Sequence, residues 1–386
     1  MRLKNAVVYD ENFDLRELDV CVDGDRIAGL TDREPAAPGL DLSDCTVMPG
    51  WLDIHIHGYG GADTGDADPA AIHEMSRRLA QHGVTAFCPT SMTLPEERLT
   101  AIFAAARAGA LEAPGACPVG INMEGPYIAP GRIGGQNPAF VRPPDAEEFA
   151  RLQAACDGFV RLVDIAPEQP GGAEFIRRVS PHTSVSMAHT DADYEQACRA
   201  VETGCRHVTH LYNAMAGLNH RHPGVVGAAF DLARQYADFH AELICDGKHI
   251  HPAALRIAFR QLGETHTVVI SDALSAAGTA DGRMVSGGLP VVVRDGLAYL
   301  EDGTIAGSTT NLEEEYRNLL SYGIPRRQIV RSLTENPAKA IRLDNELGTV
   351  TPGKRANLTV VDGSDRVVLT VVDGRIVYDR LNRREI

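Results

Sequence analysis

Six residues of the types that bind catalytic metals fall in a suggestive order along the chain. His55 and His57 form an H-x-H in WLDIHIHG, Glu124 lies in NMEGPY, His189 in SMAHTDAD, His210 in VTHLYNAM and Asp272 in VISDALSAAG. Imidazole and carboxylate suit Zn²⁺ or Fe²⁺, and a catalytic site leaves one coordination position open for water. The ion lowers the pKa of that water towards ~7. A nearby carboxylate can then take the proton and return it to a departing amine. Asp272, last in the series, fits that shuttle. Each piece alone has a plainer reading: a lone histidine is usually a hydrogen-bonded core or surface residue, EGP can be a turn, and SDA can start a helix. Order, spacing and placement at strand ends together point to a metal centre.

A second set has the chemistry to read a substrate. Arg221, in GLNHRHPGVVG, offers a guanidinium fork for a phosphate. His249, in CDGKHIHP, is flanked by Lys248 and His251, so cations gather locally on a chain whose net charge is -15. Backbone groups of Asn213 and Ala214 follow closely on His210 and can bind sugar hydroxyls. The plainer readings are a solvated loop charge for Arg221, a helix start for His251 and a turn cap for Asn213. Gly58, Gly60 and Gly61 lack the G-x-G-x-x-G spacing of a phosphate cradle and fit a tight turn beside the metal.

These residues need elements to hold them at one place. Eight short apolar segments read as strands: 51–56, 84–88, 117–123, 159–165, 183–188, 206–210, 239–245 and 266–271. Most are separated by amphipathic helical patterns such as PAAIHEMSRRLAQH and DADYEQACRAVETG. Eight β/α units predict an α/β fold, a (β/α)8 barrel whose catalysis sits at the C-terminal ends of the strands, where all six candidate ligands fall. Both chain ends are β-rich with Asp-Gly turn signals. They predict a small β-sandwich domain built from residues 1–50 and 346–386, beside a barrel over 51–345, with the return to β structure near Gly348. After the eighth strand, roughly 278–306 reads as a hairpin, and 311–321 and 326–341 as helices.

Composition sets outer bounds. A chain of 386 residues with 44% hydrophobic and 23% charged content is that of an ordinary soluble globular protein. The acidic total excludes a nucleic-acid binder, which needs a basic stripe. Eight scattered cysteines without a CxxC pair read as reduced, buried thiols, Cys88 and Cys245 among them. The arginines at 326, 327 and 331 and the RxNRR tail read as solvated charge. No run approaches a membrane span and the start lacks the apolar core of a signal peptide, so the expected location is the cytoplasm.

The segments PGWLDIHIHGYGGADT, EGPYI, GGQNPAFVRP, AHTDADYEQA, THLYNAM, HRHPGVVG, DGKHIHP, SDALSAAG and DGTIAGST together resemble the N-acetylglucosamine-6-phosphate deacetylases of the amidohydrolase superfamily over nearly the whole chain. Many other amidohydrolases carry a metal-bridging lysine after the fourth strand; here that region reads VRLVDIAPE. The resemblance implies a metal held by Glu124, His189 and His210, with Asp272 as acid/base, and a second position completed by His55 and His57. It implies Zn or Fe, one or two ions per subunit, and a homodimer in which Arg221 reaches across the interface to the sugar phosphate with His249. Where some members have histidine against the acetyl carbonyl, this chain has Gln136, which can donate a hydrogen bond but cannot be protonated. The implied reaction is removal of acetate from N-acetylglucosamine 6-phosphate. A deacetylase for the galactosamine or mannosamine epimer, a cyclic-amide hydrolase, and a non-catalytic barrel kept as an interaction protein are the alternatives.

Overall fold

In the computed structural model, which describes residues 1–34 and 36–381, the middle of the chain winds into a parallel barrel. Its strands are β1 (Trp51–Ile56), β2 (Val84–Ser91), β3 (Ile121–Met123), β4 (Val160–Ile165), β5 (Ser184–Met187), β6 (His207–Val208), β7 (His240–Ile244) and β8 (Thr267–Ile270), each hydrogen-bonded to the next. The last gap closes through Asp272 N donating to His55 O at 2.9 Å and Ser271 Oγ to Asp53 Oδ2 at 2.6 Å. Every residue of β1, β2, β5 and β7 is buried, as a sheet covered by helices on its outer face requires.

The helices begin where the sequence provides caps. Asp68 accepts from Ala70 N ahead of Pro69–Ala80, and Asp193 and Gln196 form a reciprocal capping box at the start of Tyr194–Thr203. Their apolar stripes pack on the outside of the strands around Phe87, Phe103, Phe175, Phe239 and Phe259.

The barrel interior mixes an apolar cluster, including Leu162, Ile244 and Val268, with paired polar side chains. His55 on β1 meets Glu242 on β7, and Thr209 meets Asp164 on β4, so these pairs span strands that are not neighbours. Asp53 and His55, Ser184 and Ser186, and His240 and Glu242 repeat at i, i+2, which puts each pair on one face of its strand, with Ile54, Val185 and Ala241 between them. All of them are buried.

Strands from both chain ends share one sheet: Thr46–Pro49 runs antiparallel to Leu358–Val361, with Val47 opposite Val360. A separate core, including Leu3, Val8, Val20, Val47, Leu358 and Val371, underlies it. Asp373 and Gly374, both at positive φ, turn Val367–Val372 into Arg375–Asp379 as the Asp-Gly signal predicts. Past Gly348 the chain stays irregular until Leu358, so β pairing resumes later than the turn residues suggest.

The segment after β8 is more than a hairpin. Leu289–Arg294 and Leu297–Tyr299 pair through the turn at Asp295 and Gly296, and Arg283–Ser286 and Ile305–Ser308 add a strand on either side. Those outer strands are only four residues long, too short for a period to show. The helical pattern over 326–341 breaks at Thr334 into Arg326–Leu333 and Glu335–Ala340. The arginines at its start are paired rather than merely solvated. Arg326 grips Asp365 and Arg327 reaches Asp14 at 2.9 Å, tying barrel to terminal sheet. The RxNRR segment spans 380–384, and its residues from 382 onward lie outside the described residues. All eight cysteines are free thiols, with Cys21, Cys117 and Cys198 half-buried rather than buried. Among the described residues no helix is long and apolar enough to cross a membrane.

Candidate active site

Five of the six ligand candidates sit on or just beyond strand C-termini, and Glu124 follows β3 directly. Three of them need unusual backbone to turn inward: His189, His210 and Asp272 have φ of 44°, 28° and 48°. Non-glycine residues rarely occupy this left-handed region, and such strain concentrates at functional sites. Gly60 and Gly61, at φ 65° and 90°, close the small hairpin after His57; a Cβ on Gly58 would come within 2.4 Å of Ala62 O. The glycines therefore make a tight turn.

Two groups of three result, His55–His57–Asp272 and Glu124–His189–His210, each with its ligand atoms within 4.8 Å of one another. His189 Nε2 and His210 Nε2 lie 3.2 Å apart, each about 3 Å from Glu124 Oε1 at 2.9 and 3.0 Å. Two nitrogens ~2.1 Å from one ion at the tetrahedral angle stand about 3.4 Å apart, so this spacing is that of a ligand set. Glu124 Oε2 turns the other way, 3.2 Å from His57 Nε2, which is also 3.2 Å from Asp272 Oδ1. Glu124 thus faces both groups.

The electrostatics call for a cation. Burial pushes the Glu124 carboxyl up, but hydrogen bonds from His189, His210, His55 and His57 outweigh it and hold it well below the usual range. Asp272 is likewise lowered, burial opposing and the His57 hydrogen bond prevailing. Burial disfavours the His57 imidazolium, yet Asp272 and Glu124 raise its pKa to about 9. Glu124 and Asp272 keep their charge beside His55 and His57, the two imidazoles whose proton affinity these carboxylates and Glu242 raise. A divalent ion displaces such protons and satisfies the same atoms. The residues fit a divalent metal.

A cavity of about 250 Å³ opens above these groups, lined by His57, Glu124, Gln136, His189, His210, Asn213, Ala214, His249 and Asp272. His249 is fixed by Asp246, whose Oδ2 lies 2.7 Å from Nδ1. Asn213 turns back on His210 O. Gln136 is committed on both sides: Oε1 accepts from Thr93 N at 2.6 Å and Nε2 donates to Glu124 Oε2 at 2.6 Å. It was expected at the acetyl carbonyl, and here one of its two N–H donors steadies a ligand instead. Arg221 does not line the cavity; it is exposed, in a loop where its N–H donates to Asn219 Oδ1. His251 caps the helix Pro252–His266, the plainer of its two readings. Lys248 Nζ donates to Asp295 O and Gly296 O, holding the inserted sheet down.

Gly134 and Gly135 also line the cavity, and the sequence did not single out the roles of the remaining lining residues, Met92, Thr304, Ile305, Ala306 and Gly307. The last four belong to DGTIAGST, whose chemistry is invisible in residue type because it contributes backbone and shape. Asp246 and Glu242 also escaped notice, since a carboxylate inside a strand or turn signals nothing until its partner is known.

The amidohydrolase family matches residues 46–377. An N-acetylglucosamine-6-phosphate deacetylase of Bacillus subtilis (strain 168) is 35% identical, covering 97% of this chain and 96% of its own. An N-acetylgalactosamine-6-phosphate deacetylase of Escherichia coli O157:H7 is 33% identical over 89% of this chain and 91% of its own. The structure of a mutant N-acetyl-D-glucosamine-6-phosphate deacetylase from Mycobacterium smegmatis in complex with N-acetyl-D-glucosamine-6-phosphate superposes with a TM-score of 0.91 at 31% identity, covering 98% of this chain and 99% of that one. With that likeness spanning both the barrel and the terminal sheet, the chain belongs to the amidohydrolase family and, within it, to the N-acetylglucosamine-6-phosphate deacetylases.

Proposed function

We propose that this protein hydrolyses N-acetyl-D-glucosamine 6-phosphate to D-glucosamine 6-phosphate and acetate. The observation that carries the reading is the convergence of Glu124, His189, His210, His57 and Asp272 on one cavity at the strand C-termini, with His55 buried behind them and grouped with His57 and Asp272. Glu124, His189 and His210 would hold a divalent metal, zinc or iron(II), with His55 and His57 available to a second. When bound, the metal polarises the amide carbonyl and makes water acidic enough to react near neutral pH.

The chain's own residues do the rest. Asp272, held ionised by His57, accepts the proton as the water oxygen bonds to the carbonyl carbon. His57, or Gln136 on giving up the weak contact that its Nε2 makes with Met92 Sδ at 3.6 Å, donates to the oxygen that gains charge. Asp272 then passes its proton to the nitrogen as the C–N bond breaks, and acetate and the free amine leave. Asn213 and Ala214 bind sugar hydroxyls, and His249, oriented by Asp246, meets the phosphate. Arg221, exposed and outside its own cavity, serves the phosphate in the site of a partner subunit, which makes the working unit a cytoplasmic homodimer. Residues 1–50 and 346–386 act as one accessory domain to the barrel of 51–345.

The relative that acts on the galactosamine epimer favours a second reading with the same chemistry. Acetate release from N-acetylglucosamine 6-phosphate, the galactosamine epimer and unphosphorylated N-acetylglucosamine separates them. Fast release from the first alone supports the proposal, preference for the epimer replaces the substrate, and no release from any by metal-loaded protein overturns the reaction.

A further inference from the structure

Among the four histidines at the metal groups, ring orientation is enforced unevenly. His189 has its Nδ1 2.8 Å from Arg132 O, which leaves Nε2 as the free lone pair facing Glu124. The Nδ1 atoms of His57 and His210 have no hydrogen-bond partner among the described residues. His55 differs from all three: its Nδ1 meets a carboxylate, Glu242 Oε2, at 3.1 Å. Its Nε2 has no hydrogen-bond partner among the described residues and faces Asp272 Oδ1 at 3.5 Å and Glu124 Oε1 at 3.8 Å.

Glu242 comes from β7, one strand removed from β1 around the barrel, and its side chain is wholly buried. The same Oε2 accepts the backbone N–H of His210 at 3.2 Å, and the Glu242 carbonyl accepts from Leu211 N at 2.8 Å. One residue therefore fixes the ring of a histidine in one group and the strained backbone of a histidine in the other. Its second oxygen has no hydrogen-bond partner among the described residues and stands 3.8 Å from His207 Nε2, so the carboxylate's hydrogen bonding there goes to these two residues.

We propose that Glu242 is a positioning residue that fixes the Nε2-lone-pair tautomer of His55 and so makes the His55–His57–Asp272 group able to hold a second divalent ion. A carboxylate accepting Nδ1–H leaves Nε2 as the lone-pair nitrogen and raises its basicity, and such partners are typically worth about 10–100-fold in metal affinity. Without it either nitrogen of His55 can carry the proton, and a ring protonated at Nε2 presents a hydrogen where the ion belongs. The proposal rests on the metal reading of His55 above.

The test uses Co²⁺ as probe on the full-length protein, with stoichiometry and two dissociation constants from chelator competition and ligand-field absorption as a signature of imidazole ligation. Glu242→Gln keeps the volume and removes the charge. It is expected to weaken one Co²⁺ dissociation constant about 10–100-fold, alter the absorption of that ion, and leave the Glu124–His189–His210 ion bound. Glu242→Asp keeps the charge but falls short of His55, and the same loss is expected; it decides the matter if the Gln variant does not fold. In a His55→Asn background Glu242→Gln is expected to change nothing further. Two ions bound with unaltered constants and spectrum in a folded Glu242 variant would overturn the proposal while leaving the ligand set intact. Wild-type protein that takes up a single Co²⁺, indifferent to His55→Asn, would overturn the metal reading of His55 and the proposal with it.

Discussion

Replacing Asp272 with Asn tests the acid/base assignment with little structural disturbance. The residue is fixed by its main chain, with N donating to His55 O and O accepting from Ser308 N, both at 2.9 Å, and neither bond depends on the side chain. Asn has the same shape, so the cavity and the turn at φ 48° remain. What is lost is a single atom that takes a proton in one step and returns it in the next. General acid–base catalysis is worth about 10²–10⁴ in rate, or about 3–5 kcal/mol at ~1.4 kcal/mol per decade. The assay is kcat for acetate release at saturating substrate, beside metal content and the thermal midpoint. Since Glu124, His189 and His210 are untouched, at least one equivalent of metal should stay bound. A kcat within tenfold of wild type, with metal retained, would refute the shuttle and move the proton transfer to another group.

Arg221→Ala should leave stability unchanged because the side chain is exposed; losing charge-assisted hydrogen bonds worth about 1.5–3 kcal/mol should raise KM about 10–150-fold. Unphosphorylated N-acetylglucosamine should show no such change, and an equal effect on both sugars would rule out a phosphate contact. Gln136→Leu removes the donor to Glu124 and orphans the buried Thr93 N–H, so urea denaturation should show a loss of roughly 3–5 kcal/mol. Stability within 1 kcal/mol of wild type would mean that the two 2.6 Å contacts carry little. Chelation should abolish acetate release and lower the melting point, by about 4 kcal/mol of stability for an ion present at a thousand times its dissociation constant. Divalent metal should restore both, and a chelated protein of undiminished activity would exclude metal chemistry.

The sequence by itself determined the barrel, the meeting of the two termini and the identity of the six ligand candidates. Strand and helix periods are local properties, and H-x-H, EGP and SDA stand at strand ends whatever the rest of the chain does. Asp-Gly at 373–374 likewise announced its turn, because positive φ at two successive residues is a demand on residue type. Tertiary structure alone decided the partnerships. Gln136 lies 12 residues from Glu124 and Glu242 187 from His55, yet each pair is in hydrogen-bond contact. No spacing rule links residues on strands that only barrel closure brings face to face. Arg221 was read from its chemistry as a phosphate ligand, with a partner subunit's site implied only by the family resemblance, and only the fold shows it exposed and outside the cavity of its own chain. The lining from Thr304 to Gly307 was hidden for a related reason: a backbone that shapes a cavity leaves no mark in side-chain type, and its place follows from Ser308 pairing with Asp272 and Leu274.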